Sequence, residues 1–217
     1  MRNATVLVLW MVTVLAGAGL IWYGVTATPT PDGWSRDREG ALVIPAPQVG
    51  HNDHPSPVGP TVDASNVSRS GGTRVVVPSV GIDAPVEGVL ARRGDGGWYP
   101  PAHGVARARQ SAPVSARRGA TMLAGHVWSV GDPGVFFNLH DVRLGAEVAV
   151  VADGQVERFR VTDVNVTPRT ELPGWVWGDR SGPRRLILVT CGGRETTHAG
   201  HRSWDSNVIV VAAPIKA

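Results

Sequence analysis

The feature that most constrains the fold is a series of short β-branched runs that starts at Thr73 and continues to the C-terminus. Each run has the length and composition of a strand, and Gly, Pro and Asp residues separate it from the next. Helical periodicity is almost absent, with only short candidates near residues 102–108 and 133–139. The predicted strands are residues 74–77, 82–86, 120–124, 147–151, 156–164, 185–189 and 207–212. We therefore predict a mostly β domain over residues 73–217, closed as a barrel or folded as a sandwich.

One turn in this series is predicted in detail. Asp153 and Gly154 lie between two of the predicted strands. An Asp-Gly pair supplies the positive φ angles of a tight two-residue turn, which predicts a β-hairpin at this point.

The N-terminal segment is predicted to anchor the chain in a membrane. Residues 4–25 carry no charge, and a spanning helix needs roughly 20 apolar residues. Arg2 precedes them, which favours residues 1–3 in the cytoplasm and everything after Thr26 outside. A cleaved signal peptide is the alternative, but the apolar stretch is longer than the core of a usual signal peptide. We expect a transmembrane signal-anchor over residues 1–26 and a single-pass protein of the cell membrane with its domain outside the cytoplasm.

Residues 27–72 are predicted to form a flexible, extracytoplasmic linker. They are rich in Pro and Gly and contain few aliphatic clusters, a composition typical of extended, poorly packed chain. The segment is long enough to lie over a cleft as a lid. His51 and His54 lie in it, and we interpret them as solvated loop residues rather than metal ligands.

The charge pattern argues against nucleic-acid binding. The formal net charge is +3, and the arginines, such as Arg92-Arg93 and Arg184-Arg185, are scattered without interleaved aromatic residues. We expect these arginines to lie on solvated faces.

Two residues that close apolar runs are candidates for catalysis. The single cysteine, Cys191, and His126 both fall at the ends of predicted strands. A thiol is a poor nucleophile until a neighbouring imidazole or guanidinium favours its thiolate. Gly125 beside His126 favours an exposed imidazole, and the glycines after Cys191 leave its thiol open.

Cys191 also has two non-catalytic interpretations. A free cysteine outside the cytoplasm cannot form an intramolecular disulfide, and it often packs as a small buried hydrophobe. A metal site with His198 and His201 is the other interpretation, but three ligands at irregular spacing fit a structural metal poorly. Calcium ligands are not evident because acidic residues are few and dispersed. We therefore expect neither a metal nor another cofactor.

Several stretches of the chain resemble one known family. They are Thr-Met-Leu-Ala-Gly-His-Val, Asp-Pro-Gly-Val-Phe-Phe-Asn-Leu, Ile-Leu-Val-Thr-Cys-Gly-Gly and Asn-Val-Ile-Val-Val-Ala, at residues 121–127, 132–139, 187–193 and 207–212. In this order, and with the opening residues 77–86, they resemble the sortases from about residue 75 to residue 212. Gly-Val-Phe-Phe and Thr-Cys-Gly-Gly are most similar to the class F sortases of high-GC Gram-positive bacteria. The resemblance implies an eight-stranded closed β-barrel with short helices.

The resemblance also implies a reaction. Cys191 would attack the threonine carbonyl of a Leu-Pro-any-Thr-Gly (LPXTG) sorting signal, form a thioester and release the glycine side. An amine, typically on a peptidoglycan precursor, would then take the acyl group. His126 would protonate the leaving amine and deprotonate the incoming one, a role that suits an imidazole. The implied partners are the sorting-signal peptide of a surface protein and this amine.

The arginine that is the third catalytic residue of the family is missing from its expected position. Sortases carry an arginine at or just before the last strand, and residues 204–208 contain none. We predict that Arg202 stabilises the oxyanion. Asn207, as a neutral donor, and Arg194 remain as alternatives.

Aromatic residues near the predicted site are candidates for a substrate wall. Trp128 follows His126 closely, and Trp175 and Trp177 lie in the segment 168–183 that precedes the cysteine strand. Plain packing is the alternative for Trp128.

Two other functions compete with the predicted transpeptidase. One is another cell-wall enzyme, an L,D-transpeptidase or cysteine peptidase, although the chain lacks the Ser-any-Gly-Cys signature. The other is an anchored β-domain that binds a wall polymer or a partner, with Cys191 buried and His126 incidental.

Overall fold

The computed structural model describes residues 33–61, 72–92, 98–198 and 200–216. Within them, three short 3-10 helices, Pro78–Val80, Phe137–Asp141 and Gly174–Trp177, interrupt a structure made of strands. The strands are β1 (Ser35–Arg36), β2 (Leu42–Val43), β3 (Gly50–His51), β4 (Arg74–Val77), β5 (Ile82–Val89), β6 (Ala91–Arg92), β7 (Trp98–Tyr99), β8 (Val105–Arg107), β9 (Ala120–Ala124), β10 (Trp128–Ser129), β11 (Asp132–Pro133), β12 (Glu147–Ala152), β13 (Gln155–Pro168), β14 (Arg185–His198) and β15 (His201–Pro214).

The predicted membrane helix over residues 1–26 lies outside the described residues. Among the residues that are described, no helix has the length and hydropathy to cross a membrane.

Eight of the strands close into a barrel. Their order is β14-β15-β13-β12-β4-β5-β8-β9, and β9 returns to pair with β14. The β9–β14 and β5–β8 pairs are parallel, and the other pairs of the ring are antiparallel. Because the ring closes on itself, it has no free edge. The predicted eight-stranded closed β-barrel is confirmed.

The strand that carries the cysteine is buried on both faces. Leu186 and Leu188 of β14 belong to the main core inside the barrel. Ile187 and Val189 alternate to the opposite face, where Val176 from the β13–β14 connection packs against them in a second core cluster. This double burial explains why the sequence here reads as a continuous apolar run.

All seven predicted strands are present, and the hairpin turn is confirmed. Strand β9 has the predicted bounds, while β13, β14 and β15 run further than the predicted 156–164, 185–189 and 207–212. Asp153 and Gly154 have φ angles of 52° and 72°, and the strands on either side pair as expected.

The helix candidates are corrected. The region 102–108 contains strand β8 instead of a helix, because Ala106 and Arg107 pair with β9. The helical turn expected near 133–139 begins only at Phe137 and is a 3-10 helix.

Part of the segment predicted as a linker is packed on the barrel. Residues 33–44, which we call the strap, contain the β1–β2 hairpin, and β2 pairs with β14 through Val43 and Arg194. Trp34, Leu42 and Ile44 are all buried. These three apolar side chains give the strap its own small core, which the surrounding Pro-rich composition obscures in the sequence.

Strand β3 holds the next part of the same segment. It pairs with β13, with His51 opposite Asp163. The His51 imidazole contacts the carboxylates of Asp163 and Asp53, and these partners, Asp163 first, raise the pKa of His51. His51 is thus exposed as expected, but it lies in a strand and is ion-paired.

Arg184, predicted on a solvated face, is only 8% exposed. Its guanidinium donates to both carboxylate oxygens of Glu157, to Thr121 Oγ1 at 2.6 Å and to the Val114 carbonyl at 2.8 Å. It also lies 5.2 Å from the centre of the Phe159 ring. The expectation for Arg184 is therefore wrong, because its charge is fully partnered inside the structure.

Candidate active site

Three neighbouring strands carry a row of side chains that includes the cysteine. Cys191 of β14 lies opposite Asn207 of β15, and Asn207 lies opposite Thr167 of β13. Side chains of directly opposed residues project from the same face of a sheet. Cys191 therefore lies within a paired strand, not at the strand end that the sequence predicted, because the β14–β15 hairpin continues to His198 and His201.

The histidine and the cysteine both follow the end of the parallel pair. The last paired residues of β9 and β14 are Ala124 and Val189, and each candidate follows two residues later. Gly125 fixes this alignment, since its N–H donates to the Val189 carbonyl at 3.1 Å and its carbonyl accepts from Thr190 Oγ1 at 2.9 Å. Both candidates therefore leave the parallel pair at the same level, each two residues past its last paired residue.

The imidazole of His126 is held by a backbone carbonyl. Its Nε2 lies 3.1 Å from the carbonyl oxygen of Pro100. Because a carbonyl only accepts, Nε2 carries the proton in this contact. His126 is half-buried, so its ring is oriented but not sealed from solvent.

Glycines allow the close approaches around both residues. A Cβ at Gly134 would lie 2.2 Å from the carbonyl oxygen of His126. A Cβ at Gly193, whose φ is +79°, would lie 2.1 Å from Asp205 Oδ1. Gly193 thus allows the bulge between Gly192 and Glu195 to form. Its role is therefore more than leaving the thiol open.

The thiol lies in an apolar setting with one cation near it. Cys191 is half-buried and packs against the cluster of Trp34, Val127 and Trp204, among others. Burial raises the pKa of Cys191, and the Arg169 guanidinium opposes this by lowering it. The net direction is upward, so the thiol is protonated at neutral pH in this covered state.

The strap forms the cover. The Trp34 ring stacks on Phe137 with ring centres 4.7 Å apart and meets Trp204 edge-on at 5.4 Å. The Ile44 N–H donates to the carbonyl of Gly193, two residues past the cysteine, at 2.9 Å. These contacts place the strap against the cysteine's end of β14.

Arg194, one of the candidate oxyanion groups, binds the strap. Its guanidinium forms ion pairs with Asp37 and Glu39. The hydrogen bond from Arg194 is the main reason that the pKa of Asp37 is lowered. The charge of Arg194 is therefore directed to the strap.

The other two candidates are also committed to partners. Arg202, the predicted oxyanion residue, donates from Nε to Glu195 at 2.8 Å, and its guanidinium carbon lies 5.3 Å over the Trp128 ring. Asn207 lies opposite Cys191, but its amide nitrogen donates to the carbonyls of Pro168 and Arg169 at 3.1 and 3.2 Å. The contacts of Arg202 do not bring its guanidinium to the thiol, whereas Asn207 is adjacent.

Arg169 is the charged residue that the sequence did not single out. It follows the last residue of β13, and its N–H donates to the Asp205 carbonyl at 2.7 Å. Sequence reasoning ended this strand near residue 164, so nothing linked Arg169 to the cysteine. Only the extended pairing of β13 with β15 brings it there.

Aromatic residues flank the site on two sides. Trp128 packs with Trp34 and Phe137 beside the strap. Trp98, which lies two residues before the carbonyl that holds His126, contacts Trp177 with ring centres 5.1 Å apart. Trp98 and Trp175 are 43% and 46% exposed, so this second group presents apolar surface to solvent.

No metal centre is evident in the described part of the chain. Its His, Cys, Asp and Glu side chains nowhere form a group of three or more that is suited to a metal ion. His198 and His201 pair with each other across the β14–β15 hairpin, beyond the bulge that separates them from Cys191.

The family model described as the Sortase domain matches residues 75–215. The chain belongs to the sortase family. The match spans the barrel from β4 to β15 and contains both His126 and Cys191. Sortases are cysteine transpeptidases as a family, so this sortase carries its cysteine and histidine in a fold that is used for that chemistry.

Solved sortase structures have the same fold. Sortase A from Corynebacterium diphtheriae aligns at 18% identity with a TM-score of 0.50, over 67% of this chain and 60% of that one. A lid mutant of the same protein aligns at 18% identity and 0.51, over 70% and 75%. Sortase C1 from Streptococcus agalactiae aligns at 15% identity and 0.51, over 72% of both chains. The likeness at these identities is one of fold, and comparison with curated proteins finds no match.

Proposed function

We propose that this sortase is a membrane-anchored cysteine transpeptidase that cleaves an LPXTG-type sorting signal between Thr and Gly and transfers the acyl group to a cell-wall amine. The observation that supports the proposal is the register of β9 and β14, whose last paired residues, Ala124 and Val189, lie two positions before His126 and Cys191. A nucleophilic cysteine needs a proton-transferring partner within reach, and this pair supplies both.

The proposed reaction has two halves. The Cys191 thiol passes its proton to His126, and the resulting thiolate attacks the threonine carbonyl carbon. The C–N bond to glycine then breaks as the His126 imidazolium gives that proton to the leaving amine. The product is a thioester on Cys191. An incoming amine then attacks the thioester while His126 takes up its proton, and the cysteine leaves as the new amide forms.

The protonation state of the thiol suits a site that opens for substrate. With the strap in place, burial keeps the pKa of Cys191 above its usual value. Displacement of the strap would admit water and favour the thiolate. The contact of Trp98 with Trp177 and the exposed ring of Trp175 give apolar surface suited to the leucine and proline side chains of the signal.

Membrane attachment and subclass are part of the same proposal. The uncharged residues 4–25 after Arg2 favour a single-pass anchor with the barrel outside the cytoplasm. The Gly-Val-Phe-Phe and Thr-Cys-Gly-Gly sequences favour a class F sortase. Both inferences rest on the sequence.

The test is a transpeptidation assay on the full-length chain in detergent. A quenched Leu-Pro-any-Thr-Gly peptide library is supplied with triglycine or diaminopimelate, and product is measured by mass spectrometry. We expect cleavage with an amine-dependent product, lost in Cys191→Ala and in His126→Ala. Absence of cleavage, together with Cys191 labelling no faster than a free thiol, would instead favour the anchored binding module.

A further inference from the structure

Thioester formation needs a positive or hydrogen-bonding group at the developing oxyanion, and the predicted groups are occupied. Attack by the thiol puts negative charge on the substrate carbonyl oxygen, which a preorganised donor must stabilise. Arg194 is paired with the strap acids and Arg202 with Glu195. The amide nitrogen of Asn207 donates to two backbone carbonyls.

The two carbonyls that Asn207 holds belong to Pro168 and Arg169. The side chain directly opposite the cysteine therefore fastens the start of the β13–β14 connection. A second bond, from the Arg169 N–H to the Asp205 carbonyl, fixes the same residue at 2.7 Å. Arg169 is thus pinned at two backbone atoms to the strand beside Cys191.

The alternation of side chains puts Arg169 on the face of the cysteine. Thr167 lies in the row with Asn207 and Cys191. Pro168, opposite Ser206, faces the other way, and Arg169 follows it. The hydrogen bond from the Arg169 N–H to the Asp205 carbonyl extends this bonding one residue past the strand, which favours a return of the Arg169 side chain to the row.

The charge of Arg169 is available for a ligand. Among the described residues, no carboxylate forms an ion pair with its guanidinium, in contrast to Arg194 and Arg202. Asp205, whose carbonyl binds the Arg169 N–H, uses its side chain elsewhere. Its Oδ1 accepts from the Arg194 N–H at 3.0 Å and from Ser206 Oγ at 2.7 Å. Arg169 is half-buried, which strengthens its interaction with a charge at the site.

We propose that Arg169 is the catalytic residue that stabilises the oxyanion in this sortase, and that Asn207 is the positioning residue that holds it. In this proposal the Arg169 guanidinium comes from the end of β13. Asn207, opposite Cys191 on β15, holds the backbone of Arg169 through its side-chain amide. The lowering effect of Arg169 on the pKa of Cys191 agrees with this placement. This inference rests on the proposed transpeptidase function.

The experiment compares Arg169→Ala, Arg169→Lys, Asn207→Ala and Arg202→Ala in the full-length chain, with the exposed Arg143→Ala as the matched control. Loss of an oxyanion donor lowers kcat by roughly 100- to 1000-fold. We expect that loss in Arg169→Ala with little change in KM, partial rescue in Arg169→Lys, and an intermediate loss in Asn207→Ala. Wild-type kcat in Arg169→Ala, or a larger loss in Arg202→Ala, would overturn the proposal.

A second readout does not depend on transpeptidation. The pH dependence of iodoacetamide alkylation gives the pKa of Cys191 in each variant. Arg169 is the charged group that acts on the thiol, and His126 is the titratable group that follows the strand paired with β14. Removal of Arg169 is expected to raise this pKa, and Arg202→Ala and Arg143→Ala are expected to leave it unchanged. If no variant or wild type cleaves peptide, this shift still tests the placement of Arg169, and its absence would overturn that placement. Thermal unfolding of each variant identifies loss of fold.

Discussion

At the scale of single residues, the site depends on glycines whose role is contact rather than flexibility. Gly193 has a φ of +79° and lies where a Cβ would meet Asp205 Oδ1 at 2.1 Å. Gly154, in the β12–β13 turn, has a similar φ of +72° but open space around it. The two positions share the same backbone strain for a non-glycine residue and differ only in the collision.

This pair of glycines gives a prediction for the bulge after the cysteine. Gly154→Ala is expected to lower the free energy of unfolding by about 1 kcal/mol, the cost of a left-handed L-residue. Gly193→Ala is expected to cost more, because the side chains of Asp205 and Ser206 must shift, and to lower peptide cleavage. Chemical denaturation and the cleavage assay measure the two effects. Equal costs for both variants would mean that β14 and β15 absorb the collision.

At the scale of elements, the strap decides the state of the thiol. Trp34 is the largest side chain of the strap core and is 7% exposed, whereas Val49, later in the same N-terminal segment, is 61% exposed. Substitution of Trp34 therefore tests how the packed strap affects the thiol, and substitution of Val49 is the control for the rest of the N-terminal segment.

Removal of Trp34 is expected to activate the cysteine. Burial is the main cause that raises the pKa of Cys191, so Trp34→Ala admits water and lowers that pKa. Below the pKa, each unit of the fall increases the thiolate fraction about tenfold. Alkylation at pH 7.5 is therefore expected to be faster in Trp34→Ala and unchanged in Val49→Ala. An unchanged rate in Trp34→Ala would show that the strap does not limit access to the thiol.

At the scale of the whole molecule, the sequence predicts the strands that apolar runs mark. It does not predict how far pairing extends those strands beyond the runs. The barrel strands and the Asp153-Gly154 turn follow from local composition, and His126 and Cys191 follow from the runs they close. The polar half of the β14–β15 hairpin, the strap and the position of Arg169 depend on contacts between distant residues. Composition cannot show such contacts, and the interpretation of Arg184 as solvated fails for the same reason.

Arg184 offers the test of how the barrel is tied together. It joins the start of β14 to Glu157 of β13, Thr121 of β9 and the carbonyl of Val114. Its neighbour Arg185 has a side chain 40% exposed and only a 3.8 Å ion pair with Asp179. The two adjacent arginines therefore differ in burial and not in charge.

Arg184→Ala is expected to lower the free energy of unfolding by about 3 kcal/mol, because it removes one partner of a buried ion pair. The effect belongs at the lower end of the range for such pairs, since the side chain of Glu157 is 33% exposed and regains water. Arg185→Ala is expected to cost less than about 1 kcal/mol, as exposed pairs do. Urea denaturation of the full-length chain followed by tryptophan fluorescence measures both. Similar costs for the two variants would mean that hydration replaces the Arg184 network. The apolar core alone would then hold β9, β13 and β14 in the register on which the positions of His126 and Cys191 depend.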